Sequence, residues 1–444
     1  MSLFGTLNTG ASGLGVASTY LSVVGDNIAN INTTGYKQSR ASFADMMPQE
    51  FFGMAGRGQL GIGAATNAVT SLFGQGSLES TGSALDMAIG GDGFFVVNGG
   101  DGDYYTRAGQ FGVDSDGFVT NASGLRLQGY SGTAGSLSAT VGDIQIPSAE
   151  LPGSATSAIT VNATLSPDTE IGSDLAAMDF YGTGTGANTL AEAGAAADFS
   201  TSVTMYDSLG VGHEVSVLFE RSGANEWSWR AVGDASEVYD SSGNAMSSDS
   251  GSGFEMASGT VSFDTNGTIS AFTQTDTSTT WSYAGSAQPS VAFDFGMDAS
   301  GNTTDGSISM TGEESSVTSI TQDGNGSGSL TGVDIESDGT ISGKYSNGEN
   351  VVLGQVAIAS FKAPQGLDRV GGSLFSATRA SGQPAIGVAG TGGRGELHGA
   401  TLERSNVELE DQFVQMITAQ RSYQANSKVI STANDTLASL MQMI

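Results

Sequence analysis

The chain has 444 residues, which at about 150 residues per domain predicts about three domains. Its 46 acidic residues against 15 basic ones give a formal charge of −31, whose field repels nucleic acid and anionic membranes and argues against nucleic-acid binding. The absence of cysteine excludes disulfide frameworks and thiolate metal sites. The 66 glycines, about twice the usual share, favour short strands and tight turns over a helical bundle.

The first predicted element is a helix over residues 1–31, in which an apolar residue returns at alternating steps of four and three. Gly10 interrupts this heptad series. The apolar residues that we assign to a self-assembly seam here are Leu3, Leu7, Leu14, Leu21, Val24, Ile28 and Ile31. The pattern stops in "NIANINTTGYK", where Asn and Thr side chains compete for backbone hydrogen bonds and Gly35 suits a helix C-cap.

The N-terminal residues also bear on targeting. They lack a basic stretch followed by an uninterrupted apolar core, so we expect no Sec-type signal peptide. No run approaches the roughly 18 apolar residues of a membrane span, so we expect no membrane insertion. Export, if it occurs, therefore needs another route.

Between the terminal segments the pattern changes to short apolar runs broken by Gly, Asp-Gly and Asn-Gly turns. Two such sets, Ala84–Tyr130 and Gly332–Phe361, flank a middle region, and their pairing would make the chain nested rather than serial. The predicted boundaries are a linker at 32–75, an inner β domain from 76–150 plus 329–395, an outer β-rich domain or pair of domains at 151–328, and a linker at 396–404.

The last predicted element is a helix over 405–444 that pairs with the first. Its apolar seam residues are Leu409, Phe413, Met416, Tyr423, Ile430, Leu437, Met441 and Ile444. One column of the heptad holds Gln420, Ser427 and Asn434, which either fix the register of a coiled coil or simply face water. The expected fold class is α+β and multidomain, with paired N- and C-terminal coiled-coil helices and nested mainly-β domains inserted between them.

Sequence patterns that could carry chemistry are weak. "GRGQLG" at Gly56–Gly61 matches a dinucleotide-binding spacing, but we predict a loop because no strand pattern precedes it. "DSDGFVT", "DTNGTIS" and "ESDGTIS" are incomplete calcium loops, and β-turns explain them equally well. Only two histidines exist, in separate regions. We therefore predict no catalytic, cofactor-binding or metal site and no enzyme activity.

The two ends of the chain resemble a known family. "SGLGVASTYLSVVGDNIANINTTGYK" is similar to the N-terminal signature of bacterial flagellar rod and hook proteins, and "SNVELEDQFVQMITAQRSYQANSKVISTANDTL" is similar to their C-terminal segment. "ALDMAIGGDGFFVV" and the stretch Gly332–Phe375 resemble the hook members. The residues that match the N-terminal motif are Ala29, Asn30, Asn32, Thr33, Gly35, Tyr36 and Lys37.

This resemblance implies a structural subunit that self-assembles into the flexible helical tube of the flagellar hook and transmits torque from rod to filament. It implies paired terminal helices inside the tube, with nested β domains outward. The implied partners are copies of the same chain, the rod, hook cap and hook–filament junction proteins, and the flagellar type III export apparatus. The implied location is extracellular, in the basal body and hook, reached without a cleaved signal peptide.

Two other functions stay open on the sequence. A distal rod protein of the same family would transmit torque without bending. An acidic surface-layer or adhesive protein also suits a glycine-rich, cysteine-free β chain, but it would not need both terminal segments.

Overall fold

The structure is a computed structural model that describes residues 3–53, 56–133, 136–147, 150–183, 186, 188–277, 280–287, 289–297 and 302–442, with backbone alone at 3–4, 49–53, 56–60, 133, 440 and 442. The chain divides into two compact units, the second inserted into the first. Unit 1 comprises Met1–Ser148, Thr331–Lys344 and Asn350–Ile444, and unit 2 comprises Ala149–Leu330 and Tyr345–Glu349. The architecture is mainly β, with long helices at the two ends of the chain.

Unit 1 begins with a helix and two hairpins: α1 Leu3–Ala29, β1 Ser39–Asp45, β2 Gln49–Gly53, β3 Gly56–Leu60 and β4 Ala64–Ser71. Strand β1 pairs with β4 and β2 pairs with β3, both antiparallel. The helix ends at Ala29, before the predicted limit, and the side-chain amide of the next residue, Asn30, donates to the carbonyl of Asp26 at 2.8 Å. The segment predicted as a linker therefore consists largely of paired strands.

The next strands of unit 1 belong to its main β structure. They are β5 Leu78–Ser80, β6 Met87–Gly90, β7 Phe94–Asn98, β8 Asp103–Thr106, β9 Phe111–Val113, β10 Val119–Asn121, β11 Arg126–Thr133 and β12 Ser136–Asp143. Antiparallel hairpins join β7 to β8 and β11 to β12. Phe94, Val96 and Tyr105 of the first hairpin pack with Phe375 in a buried apolar cluster. The short runs between Gly turns thus form strands as the sequence predicts.

Unit 2 contains two main sheets and a short helix: β13 Ala158–Leu165, α2 Leu190–Ala196, β14 Phe199–Tyr206, β15 Gly212–Gly223, β16 Glu226–Asp234, β17 Val238–Asp240, β18 Gly253–Phe263, β19 Ile269–Phe272, β20 Thr275–Asp276, β21 Trp281–Tyr283, β22 Ala292–Asp294, β23 Ser307–Met310 and β24 Ser316–Gln322. Strands β14, β15, β16, β18 and β19 form one sheet in that order, and β13 lies between β22 and β23 in the other. Phe219, Trp227, Trp229 and Phe295 are fully buried in their shared core.

The chain then returns to unit 1 through β25 Leu330–Ile335, β26 Thr340–Tyr345, β27 Asn350–Ser360, β28 Asp368–Gly371, β29 Leu374–Ser376, β30 Ala385–Val388, β31 Glu396–Gly399, β32 Thr401–Glu403 and α3 Leu409–Gln442. Strand β27 pairs antiparallel with β11 and β7, so the strands before and after unit 2 share one sheet. Strands β31 and β32 pair with β6 and β5. Residues 396–403, predicted as linker, are therefore also held in sheet structure.

Candidate assembly surface and terminal joint

The two terminal helices pack against each other, and glycine allows their close approach. A Cβ atom at Gly10 would lie 2.9 Å from Cγ1 of Ile430, and one at Gly13 would lie 2.6 Å from Nδ2 of Asn426. Gly10, which interrupts the heptad in the sequence, is buried at this contact. Glycine lowers the helix propensity of α1, but here it removes the side chain that would separate the helices.

The predicted seam residues of α1 are buried to different degrees. Val24 is buried, whereas Leu7, Leu14, Leu21 and Ile28 are half-buried. Ile31 lies beyond the end of the helix and is half-buried, and Leu3 lies in α1 but its side chain is outside the described residues. The α1 series therefore marks one continuous apolar face.

The seam residues of α3 separate into two groups. Met416, Ile430 and Leu437 are half-buried. The other described members are exposed, with fractional exposures of 41% for Leu409, 46% for Phe413, 42% for Tyr423 and 78% for Met441. Ile444 lies outside the described residues. Within this single chain, the half-buried members all lie in one predicted column of α3, but Leu409 and Tyr423 of the same column are exposed.

A different column of α3 completes the contact with α1. It consists of Gln412, Ala419, Asn426 and Ala433, each one residue before a member of the predicted column. Gln412, Ala419 and Ala433 are buried and Asn426 is half-buried, whereas Gln420, Ser427 and Asn434 are exposed. Small and amide side chains thus occupy the helix contact, and the polar column faces solvent in the isolated chain.

The exposed side of α3 carries an apolar strip formed by Leu409, Phe413, Val414 and Ile417. Leu409, Phe413 and Ile417 follow at intervals of four, which places them on one face of a helix. Val414 and Ile417 expose 63% and 50% of their surface. Contiguous exposed apolar side chains mark interaction surfaces, so this α3 apolar strip is the candidate assembly surface.

Two chain segments connect the helix pair to the β structure of unit 1, and we call them the terminal joint: Gly35–Ser39 and Glu403–Asn406. Asn27 at the end of α1 is buried and holds this region together. Its Nδ2 donates to the Ser39 carbonyl at 2.9 Å and to Oε1 of Gln412 at 3.0 Å, and its Oδ1 accepts from the Ser39 amide at 2.8 Å. One side chain thereby links α1, β1 and α3.

Three members of the family motif make defined contacts in the joint or in the turn that precedes it. Gly35 adopts a φ of 68°, and a Cβ there would lie 2.5 Å from the backbone of Arg107. The Tyr36 hydroxyl donates to Oδ2 of Asp26 at 2.9 Å, and the Arg369 guanidinium lies 4.9 Å from its ring centroid. Burial raises the pKa of Tyr36.

The Thr33 hydroxyl donates to Oδ1 of Asn30 at 3.2 Å, which closes the turn after α1. The remaining motif members Ala29 and Asn32 are exposed.

Lys37, the last motif residue, is fully buried with Glu403. Its Nζ lies 2.6 Å from Oε1 of Glu403, and the Arg107 guanidinium lies 3.3 Å from Oε2. Burial lowers the pKa of both Lys37 and Arg107, and Glu403 opposes that shift. Glu403 and Arg107 were not predicted from the sequence. A motif lysine in a chain with few basic residues was the signal that a buried carboxylate partner was needed.

Comparison with known sequences covers most of the chain. The "Flagella basal body rod protein" family matches residues 7–37, the "Flagellar hook protein FlgE/F/G D1 domain" residues 88–164, the "Flagellar basal body protein FlaE D2 domain" residues 179–325, and the "Flagellar basal body rod FlgEFG protein C-terminal" residues 399–443. The flagellar hook protein FlgE of Escherichia coli (strain K12) is 33% identical over 437 residues, which cover 97% of this chain and 98% of that protein.

The chain belongs to the flagellar hook protein family. FlgE of Rhizobium meliloti (strain 1021) is 32% identical over 449 residues and is covered in full, as is this chain. Among solved structures, the Helicobacter pylori flagellar hook protein FlgE2 matches with a TM-score of 0.49 and 14% identity, covering 72% of this chain and 99% of that one. The sequence similarity, rather than this structural likeness, establishes the family.

The weak chemical motifs have structural explanations. "GRGQLG" includes strand β3 of a hairpin, so the prediction of a loop there is wrong, and the pattern does not open a helix as a dinucleotide site requires. Asp114 and Asp264 accept backbone N–H groups within their own turns. Among the described residues, no three His, Cys, Asp or Glu side chains are grouped to hold a metal ion. In that same part of the chain, no helix is long and apolar enough to cross a membrane.

Proposed function

We propose that the chain is a structural subunit of the bacterial flagellar hook, which assembles into a flexible helical tube and transmits torque from rod to filament. The observation that carries this proposal is similarity along nearly the whole length to hook proteins, including both terminal segments and the middle region. A distal rod protein and a surface-layer protein are the alternatives.

The α3 apolar strip supports assembly through the terminal helices. The packing of α1 on α3 buries one face of α3 and leaves Phe413, Val414 and Ile417 in solvent. A second copy of the chain that covers these side chains would remove apolar surface from water, at roughly 25 cal/mol per Å². We infer that the strip meets a different surface of the next copy, because a contact between unlike surfaces is heterologous and can propagate as a helix instead of closing.

We infer that, in the assembled tube, the terminal helices form the inner layer as coiled coils and the β structure of unit 1 lies outside them. The seam residues exposed in the single chain, Leu409, Phe413, Tyr423 and Met441, meet neighbouring copies in this arrangement. The resemblance of both terminal segments to the family supports it. The role is structural rather than catalytic.

The same resemblance supports the finer proposals on partners and location. The two ends of the tube meet the rod and the hook–filament junction proteins, and growth occurs under a hook cap. Subunits reach the extracellular basal body and hook through the flagellar type III apparatus.

Deleting the gene tests this function. The proposal predicts cells that keep the rod but lack hook and filament, with motility restored by the intact chain and not by a chain that lacks Leu409–Ile444. A surface-layer protein predicts normal flagella after the deletion. That result would overturn the proposal.

A further inference from the structure

The terminal joint brings distant parts of unit 1 to one carboxylate. Oε1 of Glu403 accepts from Lys37 Nζ and from the Gly76 amide at 2.8 Å, and Oε2 accepts from Arg107 at 3.3 Å. The Glu403 backbone carbonyl accepts from the Gly35 amide at 2.8 Å. Both segments of the joint and two parts of the β structure therefore meet at a single residue.

The charges in this cluster do not balance, because Glu403 carries one negative charge against the two positive charges of Lys37 and Arg107. Backbone carbonyls supply the remaining stabilisation. Lys37 donates to the Gly74 carbonyl at 2.8 Å and Arg107 to the Gly91 carbonyl at 2.8 Å. Removing the carboxylate would leave two buried cations without a buried counter-charge, which is strongly unfavourable in a low-dielectric interior. The other carboxylate that acts on Arg107 is Asp92, which is exposed to solvent.

Further contacts tie the two segments of the joint to each other. Oδ1 of Asn406 accepts from the Gln38 amide at 2.8 Å, and its Nδ2 donates to the carbonyls of Leu72 and Gly74 at 2.9 and 3.0 Å. The Asn27–Gln412 hydrogen bond continues this series toward the helices. Hydrogen bonds thus cross the joint at successive levels, and a hinge motion would break several of them together.

We propose that Glu403 is a positioning residue that makes the terminal joint rigid, so that the helix pair keeps a fixed angle to the β structure of unit 1. The sequence alone suggests a flexible linker at this place. If the joint is rigid, a tube that bends must obtain its compliance elsewhere. This inference concerns the single subunit, so it stands or falls independently of the proposed assembly.

Spin labelling of the full-length chain tests the proposal directly, because the protein contains no cysteine. Nitroxides at Ser422→Cys on α3 and Asp101→Cys in the turn between β7 and β8 report the distance across the joint; both positions are exposed. Pulsed electron–electron double resonance should give one narrow distance distribution for the doubly labelled chain that carries no further substitution, which we call the parent. Glu403→Gln, which keeps the shape and removes the charge, should broaden that distribution at least twofold.

The matched control is Glu79→Gln. Glu79 pairs with Arg404, beside Glu403, at 3.6 Å, but both side chains are more than half exposed. This variant should retain the narrow distribution, because an exposed ion pair contributes little to the stability of a fold. Lys37→Met is a second joint variant in case Glu403→Gln does not fold. It should also broaden the distribution, because it removes the hydrogen bonds from Lys37 to Glu403 and to the Gly74 carbonyl.

Two outcomes would overturn the proposal. The first is a broad distribution in the parent. The second is a folded joint variant whose distribution is as narrow as that of the parent, even if its melting temperature is lower. The latter result would make the cluster a source of stability without a role in positioning.

Discussion

Aspartate side chains that open tight turns recur through the chain and give it a defined acid sensitivity. In unit 2, Oδ1 of Asp264 accepts from the amides of Asn266 at 2.8 Å and Thr268 at 2.9 Å, and Oδ1 of Asp240 accepts from Ser242 and Asn244 in the same way. These backbone hydrogen bonds hold the pKa of both carboxyls below their usual range. The ionised side chain is therefore part of each turn.

Acidification should destabilise unit 2 through these turns. A carboxyl with a lowered folded-state pKa contributes stability that is fully present above its unfolded pKa of about 3.9 and is lost as the pH falls through the folded value. Asp264→Asn keeps an acceptor oxygen but cannot titrate, so it should lose less stability than the parent between pH 7 and pH 3. Urea denaturation at both pH values measures this difference. An equal loss in parent and variant would contradict the assigned role.

At the scale of secondary-structure elements, the two terminal helices owe their fit to small residues as much as to apolar ones. Gly10 faces Ile430, and a Cβ at Gly15 would meet nothing within 4 Å. A side chain at Gly10 would therefore push the two helices apart, whereas a side chain at Gly15 would not, although both glycines lie in α1. Gly15 lies on the exposed side of α1 and only weakens the helix.

Substituting alanine for each glycine should separate the effect of helix propensity on stability from the effect of packing between the helices. Gly15→Ala should raise the free energy of unfolding of the helix pair by up to about 1 kcal/mol, since alanine is the better helix former. Gly10→Ala gains the same propensity but forces Ile430 away, and we expect no gain or a net loss. Thermal denaturation followed by circular dichroism compares the two variants. A gain of equal size in both would show that the helices do not pack at Gly10.

The α3 apolar strip should matter for assembly and little for folding. Phe413→Asp places a charge on the strip, and Ser422→Asp places the same charge on an exposed position of another face of α3. Both variants should fold with stability within about 0.5 kcal/mol of the parent, because both sites are exposed. Phe413→Asp should abolish tube formation, whereas Ser422→Asp should retain it, as judged by sedimentation. Normal assembly of Phe413→Asp would remove the strip from the proposed interface.

The terminal helices also show how far sequence reasoning reaches. Heptad spacing located both helices, but it could not choose between two adjacent columns of α3, because period alone does not fix which face meets a partner. Hydrophobicity pointed to Phe413, whereas the contact uses Ala419 and Ala433, since close packing favours small side chains. The helix α2 was missed within a Gly- and Ala-rich stretch, although its capping box of Thr189 and Glu192 is a readable signal.

At the scale of the whole molecule, the chain is nested: unit 2 is inserted into unit 1, and the sheet of unit 1 joins strands from both sides of the insertion. Tight turns with Asn-Gly and Asp-Gly made the strands predictable from local sequence. The buried cluster of Lys37, Arg107 and Glu403 was not predictable, because its members lie far apart in the chain and meet only after the sheet has formed. Long-range polar contacts of this kind have no local pattern.

The proposed function requires that this chain builds a tube that bends. Electron microscopy of basal bodies purified from cells that express the intact chain tests this requirement, with cells that express a chain without Leu409–Ile444 as the control. We expect curved tubes outside the rod with the intact chain and none with the truncated chain. Straight tubes, as expected of a distal rod protein, or a planar surface array would contradict it.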